Sequence, residues 1–217
     1  LHNLANSVII FDEAQMLPLC HLRPCVAAMA SLAEYVDSTL VLCTATQPSL
    51  SDLLRTYAPG HTVMELCPQT EEIYDRFHRV TFRQAGILED DALTERLSNH
   101  RQVLCVVNSR RAAQQIFDRL PKEGCFHLST LMIPTQRQAI LEEIRQRLKD
   151  GEPCRVVSTS LIEAGVDVDF PAVYRELAGL DSILQAAGRC NREGQRSAGE
   201  SIVTIFERTE LPPLLFC

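Results

Sequence analysis

Gln102-Val103-Leu104-Cys105-Val106-Val107 carries no polar side chain after its first residue. A strand with one wet face would alternate apolar and polar, so a run that is apolar at both parities calls for a strand covered on both faces. Such strands belong to parallel sheets sandwiched between helices. The rest of the chain obeys the same rule, because short apolar runs alternate with helical patterns throughout, which predicts an α/β fold built on a parallel sheet. In the first part the expected strands are Val8–Phe11, Leu40–Cys43 and Val63–Leu66. Helices are expected over Cys20–Tyr35, where Leu22, Val26, Met29 and Leu32 recur at helical spacing, and over Ser51–Tyr57. Pro68–Phe77 is polar and aperiodic, so it reads as a linker dividing residues 1–76 from residues 77–217. Strands are then expected at Val80–Phe82, Gln102–Val107, Phe126–Leu128, Arg155–Ser158, Ala172–Glu176 and Ile202–Phe206. A helix precedes Gln102, and others span Arg110–Leu120, Thr135–Lys149 and Ser182–Ala187. Ser109 is placed to cap the second of these, with Gly124 just past its end.

With 217 residues, 46% hydrophobic and 23% charged, the chain has the composition of a soluble globular protein. No apolar run approaches the roughly 20 residues of a membrane helix. No secretory leader opens the chain, and Leu1 is not an initiator methionine, so a cytoplasmic protein and a piece of a longer one are expected. The nine cysteines are odd in number and form no CxxC pair, which predicts reduced thiols packing as small hydrophobes. A net charge of −7 argues against an indiscriminate nucleic-acid coat but leaves room for a local groove. Residues 77–217, with nineteen acids against eighteen bases, are better suited to phosphate than residues 1–76, with nine against three.

Four motifs carry chemistry. Asp12-Glu13-Ala14-Gln15 leaves the first strand with two carboxylates, a common way to hold magnesium and orient a water beside a nucleotide. An acidic loop capping the next helix is the plain alternative. Thr44-Ala45-Thr46 leaves the second strand; its hydroxyls suit a hydrogen-bond relay, or simply a turn stopped by Pro48. Ligand sites in such sheets gather at the carboxyl ends of strands. The segment from Val156 to Phe170 runs from a strand into Ser158, Thr159 and Ser160, then to Gly165 and Asp167. Thr159 suits a nucleic-acid phosphate and Asp167 a ribose hydroxyl, against the alternative of an ordinary connection with satisfied polar groups. Gln185-Ala186-Ala187-Gly188-Arg189-Cys190-Asn191-Arg192 sets two arginines three apart, where a helix presents both on one face. Guanidinium groups fork onto phosphate oxygens, so the pair suits a polyphosphate, although a helix face with structural salt bridges would look the same.

The four together resemble motifs II, III, V and VI of superfamily 2 helicases. The forms STSLIEAGVDVDF, QAAGRCNREG, CTATQP and HLSTLMIPTQR resemble, more narrowly, the helicase–nuclease of type I CRISPR systems. That resemblance implies RecA-like parallel sheets flanked by helices, here one complete second lobe and the C-terminal part of a first. It implies ATP in the cleft between lobes, single-stranded DNA across the top, 3′ to 5′ movement, recruitment by a CRISPR surveillance complex and cutting by an HD nuclease domain. By the same resemblance Asp12 coordinates Mg2+ and Glu13 activates water, while Gln15 contacts the phosphates or the opposite lobe. Thr44 and Thr46 couple hydrolysis to movement. Asn108, Ser109, Ser129, Thr130 and Thr159 lie on the DNA backbone, and Gly165 and Asp167 meet the nucleotide. Gln185 links the two sites, and Arg189 and Arg192 reach the γ-phosphate, Arg192 as the finger. The sequence contains no G-x-x-x-x-G-K-[ST] loop and no His-Asp pair, so the phosphate cradle and nuclease site lie outside it. Two rival readings are another superfamily 2 DNA or RNA helicase, and a non-catalytic RecA-like docking module.

Overall fold

The computed structural model describes residues 2–44, 50–67, 78–162 and 166–209. The chain forms two units, Leu1–Thr70 and Glu71–Cys217. In the first, strand β1 (Val8–Phe11) pairs in parallel with β2 (Thr39–Leu42), Val8 facing Thr39 and Phe11 facing Leu42. Helix α1 (Leu22–Val36) connects them and buries Val26, Met29 and Ala30, the one stripe its spacing allows. It ends on Asp37 in the left-handed region (φ 51°), whose amide bonds back to Leu32. Helix α2 (Ser51–Tyr57) follows. On β1, Ile9 and Phe11 are half-buried while Val8 and Ile10 are about two-thirds exposed, at 65% and 64%. Met16, Leu19, Met64 and Leu66 are exposed as well, so this unit leaves apolar surface uncovered. Val63–Leu66 is not a strand: all four residues are exposed and the segment joins no ladder among the described residues. A short apolar run gains strand geometry only from a partner, which is why the local pattern misled.

The second unit is a six-stranded sheet, parallel at every pairing, in the order β3-β8-β7-β4-β6-β5. Its strands are β3 (Thr81–Leu88), β4 (Gln102–Val106), β5 (Cys125–Leu128), β6 (Cys154–Ser158), β7 (Ala172–Glu176) and β8 (Ile202–Arg208). Its helices are α3 (Asp90–Ser98), α4 (Arg110–Arg119), α5 (Pro134–Lys149) and α6 (Leu180–Ala187). Strand β4 explains the opening apolar run. Val103, Cys105 and Val107 pack into one core cluster with α3 and α4, while Leu104 and Val106 pack into another with α5 and Phe170. Ser109 caps α4 as expected, its hydroxyl accepting from the Ala112 amide at 3.1 Å. Gly124 serves β5 rather than that helix. It holds φ at +66°, and a Cβ there would fall 2.4 Å from the Pro153 carbonyl oxygen. Strand β3 runs to Leu88 rather than stopping at Phe82; among the described residues it is an edge strand, paired only with β8, and it leaves Arg83 and Gln84 in water. Among the described residues no helix is long and apolar enough to cross a membrane.

Candidate functional site

In the first unit the chain turns sharply where β1 ends. Asp12 and Glu13 are exposed, and Asp12 Oδ1 accepts from the Glu13 amide at 3.0 Å. Glu13 sits at φ 53°, ψ 44°, a left-handed conformation that costs a non-glycine residue about 1 kcal/mol or more and recurs at functional turns. Ala14 is then buried, and its amide donates to Cys43 O at 3.0 Å; the Cys43 amide in turn donates to Phe11 O at 2.9 Å. These two bonds draw Thr44, half-buried, to the same strand ends as the carboxylates. Gln15 lies in the 3-10 turn Ala14–Met16, and Thr46 lies outside the described residues. Among the described residues no group of three metal-ligating side chains occurs. Two solvent-exposed carboxylates on one turn are of the type magnesium takes, since it keeps several waters and uses one or two protein carboxylates plus substrate phosphates.

In the second unit the residues expected on the DNA backbone gather at the carboxyl ends of β4, β5 and β6, as ligand residues do in open parallel sheets. Their side chains are differently employed. Asn108 Nδ2 donates to Leu177 O at 2.8 Å, its Oδ1 accepts from Arg175 at 2.8 Å, and its amide donates to Glu176 Oε2 at 2.7 Å. Asn108 therefore ties the ends of β4 and β7 together, and Ser109 is occupied as the cap. Ser129 and Thr159 are buried, Thr130 is exposed, and the Thr159 hydroxyl finds no hydrogen-bond partner among the described residues. Behind them lies a network the sequence did not reveal. Arg175, 2% exposed, donates to Asn108, to the Glu176 carbonyl and to Ser182 at the start of α6.

The two arginines do not share a helix face. Helix α6 carries Gln185, half-buried, and stops at Ala187, with Gly188 at its end and Asn191 in the left-handed region at φ 48°. Beyond Ala187 the chain keeps to tight turns, the Arg189 and Cys190 amides donating to Ala186 O and Ala187 O at 3.0 and 2.9 Å, until Asn191 turns it left-handed, a signal outweighed by the three-residue spacing. The loop that results separates the two side chains. Arg189 is buried, and its Nε donates to the Ile162 carbonyl at 3.0 Å. Arg192 is exposed, and its Nε donates to Asp167 Oδ1 at 2.7 Å. Gly165 lies outside the described residues. Asp169, which the sequence reading passed over, accepts from the Arg192 amide at 2.7 Å and from Arg196 Nη1 at 3.0 Å. The alternation in Val166-Asp167-Val168-Asp169, with both valines buried, is the trace it leaves in the sequence.

Cys190 lies between the arginines with 2% exposure. Burial, with Asp169 adding to it, pushes its thiol up to about 12, and burial does the same to Cys154. Cys105 is raised further by burial, and Cys125 is raised too. At pH 8 these four thiols stay protonated and shielded, whereas Cys20, Cys43 and Cys67 are exposed. Brief iodoacetamide labelling followed by peptide mapping is therefore expected to modify Cys20, Cys43 and Cys67 at least about tenfold faster than the buried four, given the thiolate dependence of alkylation. Equal rates would mean that the second unit opens readily.

Residues 99–195 match the family model of the CRISPR-associated nuclease/helicase Cas3, C-terminal. That span holds β4 to β7 and the whole arginine loop down to Arg192. Residues 99–195 are thus similar to that C-terminal domain. The CRISPR-associated nuclease/helicase Cas3 of Haloferax volcanii is 49% identical over 78 residues, which is 34% of this chain and 8% of that protein. The crystal structure of T. fusca Cas3-ATP superimposes with a TM-score of 0.71 at 17% identity, covering 93% of this chain and 29% of that one. The Mycobacterium smegmatis helicase Lhr bound to ssDNA and AMP-PNP gives 0.60 at 18% identity, covering 93% of this chain and 28% of that chain. Both structures share the RecA-like α/β fold. This chain spans less than a third of each of these proteins, of which the Haloferax volcanii and Mycobacterium smegmatis proteins are helicases by name.

Proposed function

We propose that this chain is part of an ATP-driven, single-stranded DNA translocase of CRISPR interference. The observation that carries the reading is the arginine loop inside the Cas3-like match, which holds Arg192 exposed on an anchored backbone. In this reading Asp12 holds Mg2+ and Glu13 orients the attacking water. Bound magnesium would neutralise charge on the phosphates of ATP. Arg192 stabilises the charge that builds on the transferred phosphoryl group. Arg189, bonded to the Ile162 carbonyl, shapes the loop, and the open oxygen of Asp167 takes a ribose hydroxyl. Gln185 stands at the start of that loop, while Thr44 and Thr46 relay the state of the nucleotide. Thr130 and Thr159 face the DNA backbone, with Ser129 beside them and Asn108 and Ser109 shaping the strand end. The partners are single-stranded DNA, a CRISPR surveillance complex and an HD nuclease domain.

The test is ATP turnover by the full-length gene product. Single-stranded DNA is expected to stimulate it, and Glu13→Gln to lower kcat by about 10²-fold or more, the scale of losing a positioned proton acceptor. The 217-residue chain alone is expected to turn over negligibly, since its sequence has no phosphate-binding G-x-x-x-x-G-K-[ST] loop. Appreciable turnover by the chain that Glu13→Gln abolishes would contradict this reading. A second reading, a superfamily 2 helicase outside CRISPR defence, is favoured by the likeness to Lhr. Stimulation by RNA rather than DNA, or indifference to a DNA-bound surveillance complex, would select it.

A further inference from the structure

Two segments zip together around the arginine loop. Phe170 and Cys190 form an isolated parallel bridge, with the Phe170 amide donating to Arg189 O at 2.9 Å and the Asn191 amide to Phe170 O at 3.0 Å. Asp169 immediately precedes that bridge, and its side chain is only 14% exposed. One of its oxygens takes the Arg192 amide and the other takes the Arg196 guanidinium, at 2.7 and 3.0 Å. Asn191 closes the loop from inside. It is fully buried and spends its whole amide: Nδ2 donates to the carbonyls of Arg79 and Arg196 at 2.8 Å each, and Oδ1 accepts from the Arg196 amide at 3.0 Å. Arg79 in turn donates to the Arg192 carbonyl. Both sides of the Arg192 peptide are therefore fixed, its N–H by Asp169 and its C=O by Arg79.

The side chain is held differently from the backbone. The Arg192–Asp167 ion pair is open to water, with the two side chains 44% and 81% exposed. An exposed pair contributes little and is readily exchanged for a better anion. The Asp169 bonds are charge-assisted and shielded, so they persist when the guanidinium changes partner. The loop thus combines a fixed root with an exchangeable tip.

We propose that Asp169 is the positioning residue of the arginine loop, fixing the Arg192 backbone so that its guanidinium is delivered to the nucleotide phosphates. This rests on the functional reading above, in which Arg192 serves phosphoryl transfer. Asp169 itself touches neither nucleotide nor metal. Asp167 is the resting counter-ion that the phosphate displaces. The consequence is a loss in kcat rather than in nucleotide affinity when Asp169 is removed, because Arg192 then samples positions away from the reacting phosphate. Misplacing a catalytic group by about 1 Å costs on the order of 10²-fold in rate.

The experiment measures DNA-stimulated ATP hydrolysis by the full-length gene product as wild type, Asp169→Ala, Asp169→Asn and Arg192→Ala, with the folded fraction of each from thermal melting. Asp169→Ala is expected to lower kcat per folded molecule by about 10²-fold, with KM for ATP changed less than about threefold. Asp169→Asn keeps an acceptor for the Arg192 amide and loses only the charge on Arg196, so it is expected to recover about tenfold of that loss. Asp169→Ala with wild-type kcat beside a crippled Arg192→Ala overturns the positioning role alone. A loss that merely follows the unfolded fraction overturns it equally. If Arg192→Ala retains kcat, the phosphoryl-transfer reading fails and takes this one with it.

Discussion

Arg192→Ala is expected to lower the DNA-stimulated kcat of the full-length gene product by about 10³-fold or more, while KM for ATP stays within about threefold. The magnitude is that of an arginine finger, and 10³-fold corresponds to about 4 kcal/mol of transition-state stabilisation. The kcat–KM split follows from the resting structure. Arg192 is held on Asp167 at 2.7 Å in a water-exposed pair, so exchanging that carboxylate for a ground-state phosphate gains little. The gain comes when charge accumulates on the transferred group in a water-poor site. Arg192→Lys keeps the charge but loses the planar fork, so it is expected to recover no more than about tenfold. Steady-state kinetics over a range of ATP concentrations checks both variants, and a drop below about tenfold for the alanine variant would remove Arg192 from the chemistry.

Arg175→Ala is expected to destabilise the second unit by about 3–5 kcal/mol, the usual cost of breaking a buried charged network from one side. Arg175 is the largest fully buried side chain among the described residues, and its bonds reach three places: Asn108 after β4, the Glu176 carbonyl on β7 and Ser182 on α6. Alanine leaves the buried Glu176 carbonyl, Asn108 Oδ1 and Ser182 Oγ without this donor. At about 2–4 °C per kcal/mol for a domain of this size, the melting temperature should fall by about 6 °C or more. Arg110→Ala, at an exposed position on α4, should change stability by about 0.5 kcal/mol or less. Differential scanning calorimetry of the two variants decides. Equal, small shifts would mean that the buried guanidinium contributes no more than its packing.

The local signals that proved sufficient are those in which one residue's chemistry has one outlet. Strand β4 was legible because an apolar run at both parities can only be satisfied by cover on both faces, and both core clusters use it. Ser109 was legible because a hydroxyl just ahead of a helical pattern has an orphan amide to accept, here that of Ala112. Val63–Leu66 failed for the opposite reason, since a strand needs a ladder partner that its own residues do not name. In the arginine motif the spacing of Arg189 and Arg192 matched a helix, while the left-handed turn at Asn191 takes the chain out of it.

The amino-acid sequence by itself determined the α/β class, the order of most elements and the presence of residue types suited to phosphate, because hydrophobic period and charge are local properties. Tertiary structure alone decided how those side chains are spent. It turned Arg189 inward onto the Ile162 carbonyl and left Arg192 outward on Asp167. It recruited Asn108 into holding β4 against β7, made Asp169 the anchor of the loop and buried Arg175 among three elements. Those assignments depend on which strand ends become neighbours across the sheet, and β4 meets β6 and β7 only once long-range parallel pairing has formed.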